Sequence, residues 1–295
     1  GTYQLIYMDG VPDSAACNEA CKLAAKRGFG SLRGFVNGVL RTVSRNKGML
    51  PLPDRGKEPV RYLAVKYSMP EWIVSLWLEE YGPKIAETLL EGLLEVHPVS
   101  LRFQTTLGPE QVEACIRRME ERGAKVVPSR YLSYVYTLEG GGNVEELPGF
   151  REGLFAVQDV SSALAVEAAG IRPGDYVIDV CAAPGGKSLL AAERADRVLS
   201  RDVSEEKVAL IRENCRRMGA GNIEVEVHDA TCLDPDMEGV ADVVLVDVPC
   251  SGLGVIGKKR DIKYRITREK MDSLQTLQKE IVRTCSRYVK PGGTL

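Results

Sequence analysis

The strongest constraint on the fold is an alternation that begins near Phe150. "YVIDVC" from Tyr176 reads as a buried strand, and a glycine turn and a helical pattern follow it. "RVLSRD" (197–202) reads as a second strand and "SEEKVALIRENCRRMG" (204–219) as a second helix. That helix has Ser204 at its cap, Glu205 and Glu206 in its first turn, Arg216 and Arg217 in its last, and Gly219 beyond. The charges complement the helix dipole at both ends. "NIEVEV" and "DVVLVD" supply a third and a fourth strand. Strands and helices in this order imply an α/β domain with a parallel, doubly wound sheet.

In such a sheet, ligands bind at the carboxyl ends of the strands, where the strand order reverses. "DVCAAPGGK" places Gly185 and Gly186 there, and paired glycines let a ligand approach the backbone closely. The spacing matches neither GxGxxG nor GxxxxGK[ST], so a dinucleotide or nucleoside triphosphate is the weaker reading. The acids say more. Asp179 lies within the glycine-turn strand. Asp202 ends the second strand, where a carboxylate can accept both ribose hydroxyls, and Asp229 follows the third, within reach of an adenine amino group. Taken singly, each could be a helix cap or a surface carboxylate. Together with the turn they point to a nucleoside-bearing methyl donor, S-adenosyl-L-methionine.

"VDVPCSGLG" follows the fourth strand and sets Asp247, Pro249 and Cys250 across the same crevice. A lone cysteine is usually a small buried hydrophobe, but one in a loop at a strand's carboxyl end can act chemically. Carbon-5 of cytosine becomes nucleophilic only after another nucleophile adds at carbon-6, and covalent catalysis by a thiolate meets that need. Lys187 nearby would lower a thiol's pKa, and Asp247 would hold or protonate the ring nitrogen as a general acid.

The rest of the chain has other textures. Its 295 residues allow two or three domains. To about residue 48 it reads as helices. "DSAACNEACKLAAKRG" has Ser14 as its cap and Ala16, Ala20, Leu23 and Ala24 on one stripe, with Gly28 as its stop. "SLRGFVNGVLRTVSRN" puts Leu32, Phe35, Val36, Val39, Leu40 and Val43 on one buried face. "KGMLPLPDRGKEP" reads as linker. Two helices make a poor independent core, and the chain opens on Gly1 and not on methionine, so this region is expected to be the tail of a larger helical domain. Residues 59–150 then read as a small α+β module, and 151–295 as the ligand-binding α/β domain.

Composition excludes several classes. There is no apolar run of membrane-spanning length and no signal peptide. The eight cysteines form no CxxC pair and His97 and His228 lie far apart, so no metal site is expected. Cysteines within apolar segments suggest reduced thiols and a cytoplasmic protein. Net charge is −2, yet "KKRDIKYRITREK" (258–270) carries seven basic residues against two acidic ones, a patch able to hold a phosphate backbone.

"DVCAAPGGK", "RDVSEEKVALI", "DAT" and "DVPCSGLGVI…DIKY" resemble the RNA cytosine-C5 methyltransferases of the Sun group. "SLRGFVNGVLR", "YSMPEW" and "LPGFREGLFAVQDVSS" resemble its bacterial branch, which methylates 16S ribosomal RNA. The resemblance implies a NusB-like RNA-binding domain over 1–58, an RNA-contacting module over 59–150, and a Rossmann-like methyltransferase domain over 151–295. It implies that Cys181, Ala182, Ala183, Pro184, Gly185, Gly186, Lys187, Asp202, Asp229 and Asp247 hold the donor, with Cys250, Asp247 and Lys187 catalytic and 16S ribosomal RNA the partner of a monomer. Transfer RNA as substrate, or a donor-binding assembly module without turnover, are the competing readings. Ser188 stands where threonine is usual, Val248 where alanine is, and Arg260 and Tyr264 where the family has proline and tryptophan; tyrosine can still stack on a base. In the family the attacking cysteine follows a "KPGG" strand in a "TC" motif and the PC cysteine assists product release. Here the sequence reaches "KPGGTL" at Leu295, and "RTCS" (283–286) precedes that strand, so Cys285 is expected in a helical core. The chain thus reads as a fragment truncated at both ends, and Cys250 as attacking group remains a third possibility.

Overall fold

The computed structural model describes every residue except 50, 96 and 97, so His97 and Leu50 of the linker lie outside the described residues. The chain divides into two compact units, Gly1–Gly92 and Leu93–Leu295.

The first unit is helical: α1 (Thr2–Tyr7), α2 (Asp13–Lys26), α3 (Arg33–Asn46), α4 (Pro59–Lys66) and α5 (Glu71–Gly92). Leu5, Ala16, Cys17 and Leu40 form the core of α1–α3. Three local expectations are corrected. Ser14 is not the cap: α2 begins at Asp13 after Pro12, and the Asp13 carboxylate accepts hydrogen bonds from Ser44 (2.5 Å) and Lys47 (3.0 Å). The buried stripe of α2 runs through Ala16, Cys17 and Cys21 and leaves Leu23 exposed. On α3 only Leu40 is buried, because that helix packs chiefly on α2 and α1; Phe35 is 70% exposed, and Leu32 and Val39 are exposed too. α5 breaks at Gly82 (φ 73°, ψ 168°), before Pro83.

The second unit holds two sheets. β1 (Val99–Phe103), α6 (Pro109–Glu120), β2 (Ala124–Pro128), β3 (Val135–Gly140) and β4 (Phe155–Val157) make an antiparallel sheet of order β2-β3-β1-β4 with one helix. Leu101, Phe103, Cys115, Met119, Leu138 and Phe155 fill its core. Then come α7 (Val160–Ala168), β5 (Tyr176–Asp179), α8 (Gly186–Ala192), β6 (Arg197–Asp202), α9 (Glu205–Met218), β7 (Ile223–Val227), β8 (Ala241–Leu245), α10 (Ile262–Arg265), α11 (Arg268–Cys285) and β9 (Val289–Thr294). Strands β5–β9 form one parallel sheet of order β7-β6-β5-β8-β9. The order reverses between β5 and β8, the place where such sheets bind ligands.

α9 has the caps read from its sequence: Ser204 accepts the Lys207 N–H at 3.5 Å and Gly219 is left-handed at φ 70°. Arg217 does more than complement the dipole. Its Nη1 donates to the Phe150 (2.8 Å) and Phe155 (3.0 Å) carbonyls, which pins the small sheet to the large one. Gly153 makes that approach possible, since at φ 73° a Cβ on it would stand 2.1 Å from the Arg217 carbonyl oxygen. Gly153→Ala is therefore expected to cost roughly 2–5 kcal/mol of stability, read as a lower urea midpoint.

Among the described residues no helix is long and apolar enough to cross a membrane, and no group of three or more His, Cys, Asp or Glu is placed to hold a metal ion.

Candidate active site

The glycine turn begins where β5 delivers Asp179, 1% exposed, to its carboxyl end. The chain then crosses to β6, where the Ala182 N–H donates to the Arg201 carbonyl at 2.9 Å. It passes a cis Ala183–Pro184 peptide and enters α8 through Gly185 at φ 101°. A Cβ on Gly185 would meet Ile211 Cγ2 at 3.3 Å, so glycine there serves both the left-handed conformation and the packing of α9. Asn214 of α9 holds the Pro184 carbonyl at 3.0 Å.

Two carboxylates fasten this turn. Asp179 Oδ2 accepts the Ser188 hydroxyl at 2.7 Å and so ties the strand end to the first turn of α8. Asp202, 4% exposed, accepts the Ala183 N–H (3.0 Å), the Val203 N–H (2.8 Å) and Lys207 Nζ (3.0 Å). The structure therefore brings Asp202 to the turn as a tie between β6 and the loop, with much of its accepting capacity already used. Asp229 is exposed beyond β7, where its Oδ1 accepts the Thr231 N–H (2.9 Å) and hydroxyl (2.8 Å). These bonds, the backbone one first, hold its carboxyl below the usual range. Cys181 is half-buried, and burial, reinforced by Asp202 and Asp179, pushes its thiol up to about 12. It lines the turn as a neutral thiol.

Asp179 has its pKa raised to about 6, by burial first; the Ser188 hydroxyl and Lys187 pull it down and Asp247 pushes it up. A proton held more tightly folded than unfolded stabilises the fold below the unfolded value, and that stability is lost as pH rises from about 4 through about 6. Relative to Asp179→Asn, whose amide stays neutral, the parent chain is expected to lose up to ~3 kcal/mol between pH 4 and pH 7. Urea denaturation of both across that range checks it.

Across the strand reversal, β8 leads into Asp247, Pro249 and Cys250. Lys187, from the first turn of α8, forms an ion pair with Asp247, whose side chain remains 59% exposed. The expectation that Lys187 activates the thiol meets a different partner here: its ammonium engages the Asp247 carboxylate, which neutralises and orients that group. Cys250 is exposed. Gln278 of α11 fixes its loop by donating to the Pro249 carbonyl at 2.7 Å. Gly252 turns the chain at φ 73°, where a Cβ would meet Ile262 Cδ1 at 3.0 Å. "RTCS" is elsewhere: Cys285 is fully buried on α11, its thiol donating to the Ala230 carbonyl at 3.5 Å.

The glycine turn, Lys187, Asp202, Asp247 and Cys250 thus gather at the carboxyl edge of β5, β6 and β8. Gln278 and Gln158 were not singled out from sequence. Gln158, 5% exposed, lies 3.5 Å from where a Cβ of Gly186 would stand. Its only signal was its place in "AVQDVSS".

Residues 168–295 match the family model described as 16S rRNA methyltransferase RsmB/F, and residues 1–45 match the NusB family. The chain is 36% identical over 301 residues to a protein of Bacillus subtilis (strain 168) named probable ribosomal RNA small subunit methyltransferase B, covering 99% of this chain and 65% of that one. It is 31% identical over 300 residues to ribosomal RNA small subunit methyltransferase B of Proteus mirabilis (strain HI4320), covering 100% of this chain and 68% of that one. It spans about two thirds of the length of these curated relatives. Among solved structures, the crystal structure of PH0851 matches 99% of this chain and 66% of its own with a TM-score of 0.80 at 27% identity. The NSun6 structure from Pyrococcus horikoshii with SFG matches 76% of this chain and 81% of its own at a TM-score of 0.67; at 19% identity that likeness concerns the fold alone.

Proposed function

From the premise that the chain belongs to the family of ribosomal RNA small subunit methyltransferases B, we propose that it transfers a methyl group from S-adenosyl-L-methionine to carbon-5 of a cytosine in 16S ribosomal RNA. The observation that carries this reading is the Lys187–Asp247 pair, which joins the glycine turn to the Pro249–Cys250 loop across the strand reversal.

The residues at the turn fit the donor. Asp179 Oδ1 is buried beside the turn with no hydrogen-bond partner among the described residues, as suits a site for the ammonium group of an amino-acid-bearing ligand. Ala183 to Lys187 would hold the donor's chain, with Cys181 and Ala182 behind them. Asp202 and Asp229 would take its ribose and base ends. When bound, S-adenosyl-L-methionine supplies an electrophilic methyl group. NSun6, which shares the fold, was solved with SFG.

The remaining chemistry belongs to the chain and the cytosine. Addition of a thiolate forms a sulfur–carbon-6 bond while ring nitrogen N3 takes up a proton from solvent through the exposed Asp247 carboxyl group, which makes carbon-5 enamine-like. After methylation a water molecule takes the carbon-5 proton, the sulfur–carbon-6 bond breaks to release the thiolate, and N3 returns its proton through Asp247, which restores the aromatic ring. Lys187 keeps the Asp247 carboxyl aimed at the reversal. Cys250 supplies an exposed thiol in the loop where this adduct is made or resolved. RNA would lie along the basic segment 258–270, where Tyr264 is 69% exposed and Lys263 Nζ sits 5.2 Å from its ring centroid.

Incubation with methyl-labelled donor and unmodified 16S ribosomal RNA tests the reading, with unmodified transfer RNA alongside. Label at cytosine carbon-5 of the ribosomal RNA is expected. Label on another atom or only on transfer RNA, or no donor binding by calorimetry in a folded sample, would overturn it.

A further inference from the structure

Arg102 is the largest of the fully buried side chains, and it sits in a strand otherwise lined by Leu101 and Phe103. Its guanidinium reaches two groups on the facing domain. Nη1 pairs with Glu193, the C-terminal cap of α8. Nε donates to Gln158 Oε1 at 2.6 Å. Gln158 in turn packs on Gly186, the first residue of α8, with Cδ 3.5 Å and Nε2 3.7 Å from a Cβ position there. Glu193 is also held by the Thr105 N–H and hydroxyl, both at 2.7 Å. One forked side chain of the small sheet therefore grips α8 at both ends. α8 carries the two residues that shape the candidate site, Ser188 bonded to Asp179 and Lys187 paired with Asp247.

We propose that Arg102 is a positioning residue for methyl-donor binding: through Glu193 and Gln158 it fixes α8, and thereby the glycine turn and Lys187. The inference rests on the reading of that turn as the donor site. Stability alone is a poor reason for the arrangement, because a buried ion pair is often matched or bettered by apolar residues of the same volume. An apolar pair would bury equal surface but exert no directed hold on two ends of a helix. The planar fork, with donors fixed in direction, does. The small sheet is on this view a brace of the donor site, whatever RNA contact its outer face makes.

Three variants separate positioning from folding. Arg102→Lys can keep Glu193 but not Gln158 as well. Gln158→Met removes the limb to Gly186, together with the hydrogen bond from Gln158 to Ser162. Arg102→Met with Glu193→Gln removes both limbs, leaves no unpaired charge and keeps an acceptor for Thr105. Each is compared with the parent by calorimetry with S-adenosyl-L-methionine, well below its melting temperature, and by hydrogen exchange at Leu189 and Leu190. Roughly tenfold weaker donor binding is expected in the double variant and a smaller loss in each single one, with faster exchange in α8 and RNA affinity within about twofold. Unchanged donor affinity and unchanged exchange in folded variants would overturn the proposal, leaving Arg102 a structural residue. Failure of the parent chain to bind donor would instead count against the donor site, while faster α8 exchange in the variants would still uphold the brace.

Discussion

An Asp247→Asn variant is expected to transfer methyl groups about 10²–10⁴-fold more slowly than the parent, with donor affinity changed no more than a few-fold. Asparagine keeps the shape of the side chain and an oxygen for Lys187, but it cannot exchange a proton with a ring nitrogen. Addition at carbon-6 builds negative charge on the ring, and without a proton donor the adduct collapses back to thiolate and cytosine. The proposed role fits the placement of Asp247, which follows β8 at the strand reversal, is more than half exposed, and is paired with Lys187 from the other side of the crevice. Single-turnover kinetics with saturating donor and RNA separates the proton-transfer role from a binding one. A loss confined to donor affinity, with the chemical step unchanged, would place Asp247 among the donor contacts only. Lys187→Met should show a smaller defect of the same kind, because the carboxylate survives but loses its anchor.

The parallel sheet and its glycine turn were legible because each is a local signal. β5 and β8 are apolar runs bounded by turns, β6 carries Val198 and Leu199 ahead of its terminal Asp202, and α9 announces both ends with Ser204 and Gly219. Gly82 before Pro83, where α5 breaks, is a local signal of the same kind. β4 was not legible: "FAV" has three residues, too few to show a period, and it becomes a strand only by pairing with β1. β2 lies at a sheet edge and ends in Pro128, which reads as a breaker when met alone. The phase of α2 was missed because alanines and cysteines fit several stripes equally well. Phe35 was assigned to a core because periodicity reports which side of a helix is apolar, not whether anything packs there.

Pairings distant in sequence were the deepest gap. Lys187 and Asp247 were both named as functional, yet their ion pair spans 60 positions and was not foreseen. Arg102 meets Glu193 across 91 positions. A charged residue in the middle of an apolar strand says only that a partner must exist, since an isolated buried charge is too costly to keep. Which partner it finds depends on how two sheets dock, and the glycine at 153 and the Arg217 hydrogen bonds settle that docking.

Replacing Cys250 with alanine is expected to slow multiple turnover by roughly 10³-fold or more, and the state in which the RNA is left identifies the step. Cys250 is exposed, in a loop fixed by Gln278 and next to the Lys187–Asp247 pair. Alanine removes little more than the sulfur, so loop geometry and donor affinity should hold within a few-fold. The resemblance assigns the PC cysteine to product release. On that basis, in a protein that carries the attacking cysteine of the "TC" motif, the variant should accumulate a protein–RNA adduct that survives denaturing electrophoresis, because the bond from that cysteine's sulfur to carbon-6 forms and is not broken. Were Cys250 the attacking group, no adduct would form and the first turnover would vanish with it. A folded, donor-binding variant with undiminished turnover would remove Cys250 from the mechanism. Asp247→Asn should show the opposite pattern, with slow formation of the adduct and no accumulation. Those two outcomes together would order the steps, with the carboxyl group acting before the covalent bond is complete and the thiol of Cys250 after it.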